Sequence, residues 1–271
     1  MQFYPAKQLS TLIKHYLFVE SNAKGIKKFR LFSDGNTGIV FSFKNKLITS
    51  SSQTGLTDSL PVSFAYGQIS GFKNIFCVDE TSLLIVVFKP YALSNLLNIP
   101  ANELVEQTID LTDLFGNIAT EVTERLFLCQ NLAERIQMLE SFFIKIIANV
   151  NNPATPMITA SVNFIQQNNG LINQEQLIRY TGCEQRQIER KFIETIGITP
   201  KKYCDIVKLT VYLKYLRDSK PAKLSNLAYE SGYYDQAHVT RYFKKITGVT
   251  PTQYSLKFDA LALNLLEFPN L

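Results

Sequence analysis

The C-terminal part of the chain repeats itself, and this repeat limits the fold more strongly than any other feature of the sequence. The segment GCEQRQIERKFIETIGITPKKY (182–203) corresponds to GYYDQAHVTRYFKKITGVTPTQY (232–254). Six residues of the first segment recur 51 positions later: Arg190, Phe192, Gly197, Thr199, Pro200 and Tyr203. A constant period of this kind indicates one supersecondary unit that is used twice.

Each repeat has the pattern of a short helix, a tight turn and a second helix. QEQLIRYT and SNLAYES are the first helices, and Asn173 and Ser225 precede them as N-caps. Glycine tolerates the left-handed backbone of sharp turns and helix ends. Glycines stand at both turns and after both second helices: Gly182, Gly232, Gly197 and Gly248.

The second helix of each repeat is amphipathic. Its apolar stripe is expected to pack inward and consists of Ile188, Phe192 and Ile196 in one repeat, and Val239, Phe243 and Ile246 in the other. The opposite faces carry long polar side chains that can donate to base edges or phosphates. These are Gln185, Arg186, Gln187, Glu189 and Arg190 in the first repeat, and Gln236, His238, Thr240, Arg241 and Lys244 in the second.

The segment between the repeats, 202–216, has leucine and isoleucine at helical spacing and predicts a rigid connecting helix. Such a helix would hold the two second helices at a fixed separation. If that separation is about 34 Å, one DNA turn, a single chain can enter two successive major grooves.

The stretch SGYYDQAHVTRYFKKITGVTPTQY (231–254) is similar almost residue for residue to the signature of the AraC/XylS family of transcription regulators. The resemblance implies a bacterial sequence-specific DNA-binding regulator that is controlled by an effector or by dimerisation. It implies base contacts from Arg186, Glu189 and Arg190 in the first repeat, and from Gln236, Ala237, His238, Thr240 and Arg241 in the second. Lys191, Lys244 and Lys245 are the candidates for phosphate contacts.

Two residues depart from the family pattern. Glu189 places a carboxylate on the face that meets DNA, where it either reads a cytosine amine or pairs with Arg186; we favour the intrahelical pair. Cys183 stands where an aromatic or aliphatic residue is expected, so the start of the first recognition helix stays open.

Charge supports an anionic partner for the C-terminal part alone. Residues 1–150 carry 13 Lys and Arg against 13 Asp and Glu, whereas residues 156–257 carry 15 against 8. This asymmetry fits DNA, although an ordinary solvated surface would also account for it.

The first hundred residues alternate short β-rich stretches with turn signals: FRLF, SDGNTG, IVFSF, SFAYGQI and SLLIVVF, with TSSSQTGLTDS as a polar loop. They predict a cupin-like barrel or sandwich and loosely resemble the β-rich N-terminal domain of some family members. YALSNLLNI and ANELVEQTI look helical, and two amphipathic helices are expected over 117–148. The apolar stripe of these two helices packs either on the β domain or on a second subunit.

The resulting fold class is α+β. We predict a β-rich sensor or dimerisation domain with following helices at 1–148, a linker at 149–156, a double helix-turn-helix domain at 157–257 and an apolar tail at 258–271. The leucine-rich tail docks either on the body or on a partner.

Other residues suggest no catalytic or metal site and no cofactor. The four cysteines Cys77, Cys129, Cys183 and Cys204 have no metal-binding spacing and indicate reduced thiols. His15 is expected to be structural, and Lys24, Lys27, Lys28 and Arg30 to form a solvated loop. Six aromatic residues line a pocket or, as favoured, belong to the core: Phe41, Phe43, Phe64, Tyr66, Phe72 and Phe76.

The expected partners are double-stranded DNA, RNA polymerase, a small-molecule effector and a second copy of the chain. No signal peptide or membrane span is recognisable, because the longest strongly apolar run, 83–88, has six residues, so a cytoplasmic protein is expected. We expect no enzymatic activity. The alternative is an enzyme that carries a DNA-binding module, such as an alkyl-transfer repair protein or a barrel-fold metabolite enzyme.

Overall fold

The structure is a computed structural model that describes residues 1–50, 57–147, 156–218, 233, 235–257 and 259–268. Its strands are β1 (Gln2–Phe3), β2 (Ile13–Ser21), β3 (Ile26–Phe32), β4 (Gly38–Ser42), β5 (Leu47–Ser50), β6 (Thr57–Ser59), β7 (Ser63–Tyr66), β8 (Phe72–Val78), β9 (Thr81–Phe88), β10 (Thr108–Asp110), β11 (Asp259–Ala262) and β12 (Leu265–Phe268). They form two open six-stranded sheets, in the orders β1-β2-β9-β4-β7-β10 and β11-β12-β3-β8-β5-β6. The predicted β-rich N-terminal domain is therefore a sandwich.

Strand β9 shows how a single strand supplies apolar side chains to both faces of the first sheet. It lies between β2 and β4 and is buried on both faces, as its continuous apolar run predicts. Leu83 packs towards the second sheet with Phe29 and Leu265. Leu84 and Phe88 point to the opposite side, where Phe88 meets Phe143 with ring centroids 5.5 Å apart. The first sheet thus has one face on its partner sheet and one face on helices.

The helices that follow the strands are α1 (Ala92–Leu97), α2 (Leu111–Phe115), α3 (Asn117–Leu128) and α4 (Leu132–Ile147). The two amphipathic helices expected over 117–148 are thus present, and Val122, Leu126 and Phe143 join the core beside the sandwich. Of the two alternatives for their apolar stripe, packing on the β domain is the one found.

The prediction of a helix for ANELVEQTI (101–109) is wrong. The segment forms a 3₁₀ turn, Ala101–Glu103, and then β10, which pairs with β7. Glu106 has a left-handed backbone (φ 63°), which a helix interior does not accommodate. Gly67 N–H donates to the Gln107 carbonyl, so the open edge of the sheet captures the segment as a strand.

The remaining helices are α5 (Pro156–Gln167), α6 (Gln174–Thr181), α7 (Gln185–Ile196), α8 (Pro200–Asp218), α9 (Gln236–Thr247) and α10 (Pro251–Lys257). Helix α8 is the predicted connecting helix, and Leu209 and Leu213 on it are buried. The first repeat does not have a core of its own, because Ile188 and Phe192 of α7 belong to the same buried cluster as Phe88 of the sandwich.

The C-terminal tail docks on the body of the same chain. Strand β12 pairs antiparallel with β3, with Leu265 opposite Leu31 and Phe268 opposite Lys28. Leu266 is fully buried beside Phe32 of β3 and residues of α8 and α9. The chain therefore returns after the two repeats and completes the second sheet.

The basic cluster expected as a solvated loop is instead partly buried in β3. Lys27 is 1% exposed and Arg30 is 8% exposed. Lys27 Nζ donates to the carbonyls of Ser21 and Asp79. Because β3 lies between β12 and β8, its side chains are covered, and main-chain carbonyls take the place of water as hydrogen-bond acceptors.

We predict that Leu266→Ala lowers the free energy of unfolding by about 2–4 kcal/mol, since it leaves a cavity between the sandwich and the repeats. Urea denaturation measures this difference. Leu171→Ala is the matched control, because Leu171 is 45% exposed, and we expect a change below about 0.5 kcal/mol. Equal losses for both variants would contradict the docking of the tail.

Candidate nucleic-acid interface

The first repeat forms the predicted helix, turn and helix. Asn173 caps α6 in a reciprocal capping box with Gln176. Gly182 ends α6 in a left-handed conformation with φ 67°. Helix α7 begins at Gln185, with Glu184 as N-cap, so Cys183 precedes the recognition helix.

Helix α7 divides its residues between core and solvent as its pattern predicts. Ile188, Phe192 and Ile196 are buried. Arg186 and Arg190 are exposed on the other side. These two arginines and the exposed Gln185 and Gln187 form the polar face of α7, which we call the α7 face.

The prediction of an ion pair between Glu189 and Arg186 is wrong. Glu189 Oε1 accepts from Gln185 Nε2 at 3.1 Å and from Gln174 Nε2 at 3.2 Å, and no ion pair joins it to Arg186 in the described part of the chain. Gln174 belongs to α6, so this half-buried carboxylate ties the two helices together. The amide donors of two glutamines satisfy it without a charge partner.

Lys191 also has a partner within its own helix. Its Nζ lies 2.9 Å from Glu194 Oε2, and its side chain is 32% exposed. Such an exposed i,i+3 pair is worth only about 0.2–0.5 kcal/mol, so a phosphate can compete with it.

Of the two helices that form the second helix-turn-helix unit, the structure describes the recognition helix. The predicted first helix SNLAYES, its cap Ser225 and the turn glycine Gly232 lie outside the described residues. Helix α9 begins after Asp235, whose Oδ1 accepts from His238 N–H. Val239 and Phe243 are buried.

The predicted contact residues of α9 lie together on its solvent side. Gln236, Ala237, His238 and Arg241 are exposed, and Thr240 is half-buried. Arg241 Nε donates to the Ala237 carbonyl at 3.4 Å, a weak contact that a base or phosphate can replace. Both Lys244 and Lys245 are exposed in the last turn. We call this surface the α9 face.

The ends of both recognition helices rest on the sandwich side of the molecule, which the sequence did not indicate. Gly197 and Gly248 are left-handed C-caps, as expected. A Cβ on Gly197 would lie 2.8 Å from Val105 Cγ2, and one on Gly248 would lie 2.5 Å from Arg30 Nη1. Only glycine therefore fits these two contacts, which we call the glycine seats.

A cavity of about 970 Å³ lies between the two sheets. Both sheets contribute apolar lining, including Val19, Phe29, Val40, Ile75 and Leu83. Of the six aromatic residues considered from the sequence, Phe64, Tyr66 and Phe72 line it, whereas Phe41 belongs to the core beside the helices. Its volume and lining are those of a small-molecule pocket.

Charged side chains reach this cavity from two parts of the molecule. Lys73 Nζ lies 3.7 Å from Glu106 Oε2, so this lysine already has a carboxylate partner. Lys245 also lines the cavity, and it comes from recognition helix α9. No ion pair of the described residues includes Lys245 or the remaining charged lining residue, Asp58.

His15 lies apart from both recognition helices, on β2. Burial, with a smaller contribution from Lys14, lowers the pKa of His15 to about 4, so it is neutral at pH 7. Among the described residues, no three His, Cys, Asp or Glu side chains cluster in a way that would hold a metal ion. The described helices include none with the length and hydrophobicity needed to cross a bilayer.

We predict that Gly248→Ala destabilises the protein by at least about 2 kcal/mol more than Gly182→Ala. Both glycines are left-handed C-caps with nearly equal φ, 71° and 67°, so both variants carry the backbone cost of about 1–2 kcal/mol. Only at Gly248 does the new methyl group meet another part of the chain, whereas nothing lies within 4 Å at Gly182. Urea unfolding of the two variants gives the difference, and equal losses would contradict the contact at the Gly248 seat.

Comparison with known proteins agrees with this geometry. A family model described as "Helix-turn-helix domain" matches residues 177–257, and one described as "Domain of unknown function (DUF6597)" matches residues 1–110. An uncharacterized HTH-type transcriptional regulator of Haemophilus influenzae is 23% identical over 211 residues, which cover 76% of this chain and 69% of that protein.

Two solved structures of ToxT from Vibrio cholerae share the fold. An apo variant has a TM-score of 0.50 at 12% identity and covers 89% of this chain and 96% of its own. ToxT bound to (E)-4-(8-methylnaphthalen-1-yl)but-3-enoic acid has a TM-score of 0.50 at 11% identity, with coverage of 89% and 97%. With the two recognition helices and the matched helix-turn-helix domain, these comparisons support a DNA-binding transcription regulator that is similar to the AraC/XylS family.

Proposed function

We propose that this regulator recognises a two-part operator, with the α7 face and the α9 face in successive major grooves. The observation that carries this proposal is that each recognition helix buries one apolar stripe and exposes arginines on the opposite side. Arginine donates to the O6 and N7 atoms of guanine in the major groove, so Arg186, Arg190 and Arg241 are the principal candidates for base readout.

The other candidate residues take roles that their surroundings support. We propose that Gln236, Ala237, His238 and Thr240 complete base readout by α9. Glu189 reads a cytosine amine only if it releases Gln174 and Gln185, so we assign it first to positioning. Lys191 and Lys244 contact phosphates, Lys191 after it leaves Glu194, while we assign Lys245, the third candidate, to the cavity that it lines.

The operator can be found by selecting duplexes from a random library with the full-length protein. Binding to the selected duplex and to a scrambled one is then titrated at two salt concentrations, since phosphate contacts make affinity depend on salt. Preference for the selected duplex supports the proposal. Equal affinity for all duplexes after selection would contradict it.

We predict that Arg190→Ala and Arg241→Ala each weaken binding to the selected duplex by about 1–3 kcal/mol, with a smaller effect on scrambled DNA. Arg179→Ala is the matched control. Arg179 is an exposed arginine of α6 that lies 3.9 Å from Glu175, and it is not on a recognition helix. An equal loss on both duplexes would mean that the two arginines contact phosphates and not bases.

We further propose that the protein is controlled through its sandwich. In this proposal residues 1–148, together with the docked part of the tail 258–271, form the sensor, 149–156 is the linker and 157–257 is the DNA-binding domain. The support is the cavity between the sheets, whose lining includes Lys245 of the DNA-binding domain.

The chemistry of the cavity favours a largely apolar ligand, and an acidic group on such a ligand would lie at Lys245 and away from Asp58. Its walls are largely aliphatic and aromatic, while Lys245 offers a cation at the side of the recognition helix. ToxT, which shares the fold, is bound to an acid with a naphthalene body. We propose that an acid of this kind binds here with its carboxylate on Lys245.

We predict that Lys245→Gln weakens binding of (E)-4-(8-methylnaphthalen-1-yl)but-3-enoic acid about tenfold, since the charge-assisted contact is worth roughly 1.5 kcal/mol or more. Calorimetric titration of the full chain gives the affinity. Lys244→Gln is the matched control, because Lys244 is the exposed neighbour that does not line the cavity, and we expect less than about a twofold change. The methyl ester of the acid has no negative charge, so its affinity for wild type and for Lys245→Gln should be the same.

Three further assignments follow from the family. We propose a homodimer, and exposed apolar side chains on α3 and α4, Ile118, Phe127, Leu128 and Ile144, support it. RNA polymerase as a partner rests on the resemblance alone. We assign the protein to the cytoplasm, where bacterial DNA lies.

We propose that the chain is not an enzyme. An alkyl-transfer activity would need an activated thiolate, whereas burial raises the pKa of the Cys204 thiol to about 11. Cys77 is likewise buried, and the two half-buried cysteines, Cys129 and Cys183, do not lie in a recognisable motif of an activated cysteine. The alternative of an enzyme that carries a DNA-binding module therefore has less support than a regulator.

A further inference from the structure

Arg30 lies where the sandwich, the tail and the second recognition helix meet. Its guanidinium carbon lies 4.2 Å from the ring centroid of Phe72 on β8 and 4.7 Å from that of Phe268 on β12. Its Nε donates to Asn74 Oδ1 at 2.9 Å. The side chain is thereby held between two aromatic rings and fixed in orientation.

The remaining side of this guanidinium faces the end of helix α9. Arg30 Nη1 lies 3.5 Å from the Thr247 carbonyl oxygen, a long hydrogen bond at the last residue of the helix. Arg30 Nη1 also occupies the space into which a Cβ on Gly248 would point. A cation at a helix C-terminus is favoured by the unpaired carbonyls and the helix dipole.

Arg30 has no carboxylate partner among the ion pairs of the described residues. A buried charge without an ion pair is costly unless other groups satisfy it. Here two ring faces, an amide oxygen and the end of α9 serve that purpose. Displacing the guanidinium therefore changes how well the end of α9 is held.

The partners of Arg30 also belong to the cavity wall. Phe72 and Asn74 line the cavity, and so does Leu265, which lies on β12 with Phe268. By contrast, Ala101 and Val105, which form the seat of α7 at Gly197, do not line it. A ligand in the cavity thus contacts the partners of Arg30 at the end of α9, but neither of the two residues that form the seat of α7.

We propose that Arg30 is the positioning residue that couples the cavity to the second recognition helix, so that a bound ligand changes DNA binding through α9 and not through α7. This rests on the proposed function, in which an acidic ligand occupies the cavity. The ligand reorders Phe72 and Asn74, Arg30 follows them, and the end of α9 shifts with Arg30. Coupling between two sites requires such an element that both contact.

The test measures coupling with the full chain, the selected duplex and the naphthalene acid named above. For wild type we expect saturating acid to change the Kd for DNA at least about fivefold, and DNA to change the Kd for the acid by the same factor. For Arg30→Gln we expect both factors to fall below about twofold. The Kd for the acid alone should stay within about threefold of wild type.

Lys28→Gln is the matched control. Lys28 lies two residues away on the same face of β3, and its Nζ is 5.0 Å from the Phe268 ring centroid, but it has no contact with α9 among those described. We expect this variant to keep the wild-type coupling. Arg30→Lys retains the charge and a similar volume, and an ammonium cannot bridge Asn74 and Thr247 as the planar fork does, so its coupling should be intermediate.

A second readout separates positioning from general destabilisation. Scrambling the half-site read by α9 should cost Arg30→Gln less affinity than it costs wild type, while scrambling the half-site read by α7 should cost both proteins the same. A merely structural loss would weaken discrimination at both half-sites. If Arg30→Gln does not fold, Arg30→Lys provides the same comparison.

The outcomes distinguish this inference from the proposed function. If wild type selects no duplex or does not bind the acid, the proposed function fails, and this inference is overturned with it. If wild type binds both with coupling and Arg30→Gln or Arg30→Lys keeps the full factor, only the role of Arg30 is overturned. Loss of coupling in Lys28→Gln to the same extent would overturn it as well.

Discussion

Strand β3 carries side chains into three environments, and the arrangement of the whole chain depends on it. Phe29 packs between the two sheets, Phe32 packs with the connecting helix and α9, and Arg30 meets the end of α9. A strand in the middle of a sheet cannot move without breaking its ladders on both sides. The sandwich and the DNA-binding repeats are therefore joined by packed side chains of β3.

The C-terminal hairpin completes this connection. After α10 the chain returns as β11 and β12, and β12 forms a four-residue ladder with β3. Asn264 and Phe32 exchange main-chain and side-chain hydrogen bonds, and the Tyr254 hydroxyl donates to the Leu263 carbonyl. The second repeat thus contacts the sandwich at two places. Arg30 meets the end of α9, and the hairpin that follows α10 pairs with β3.

The two glycine seats give the two recognition helices different neighbours. The end of α7 rests on the 3₁₀ turn before β10, whereas the end of α9 rests on β3 and β8 beside the cavity. Tightly packed contacts of this kind transmit displacements, because neighbouring groups leave no free space to absorb them. In the proposed mode of DNA binding, a ligand in the cavity therefore adjusts the contact of α9 while the contact of α7 stays in place.

The sequence by itself determined most of the local structure and the class of protein. Apolar periodicity located the helices of the first repeat, α9 and the connecting helix, and glycine positions located their ends, because these features depend on neighbours along the chain. The repeat with its arginines indicated a DNA-binding regulator. Local signals failed for ANELVEQTI, where an open sheet edge captured the segment as β10, and for Glu189, which bonds a glutamine of another helix.

Only the tertiary structure decided which parts of the chain meet. Arg30 and Lys27 are part of an ordinary basic cluster in the sequence, and burial in β3 gives them their partners. Lys244 and Lys245 are adjacent and chemically identical, and only the packing of α9 on the sandwich places one of them at the cavity. Such contacts join residues far apart in the chain, as from Arg30 to Thr247, so no spacing within the sequence encodes them.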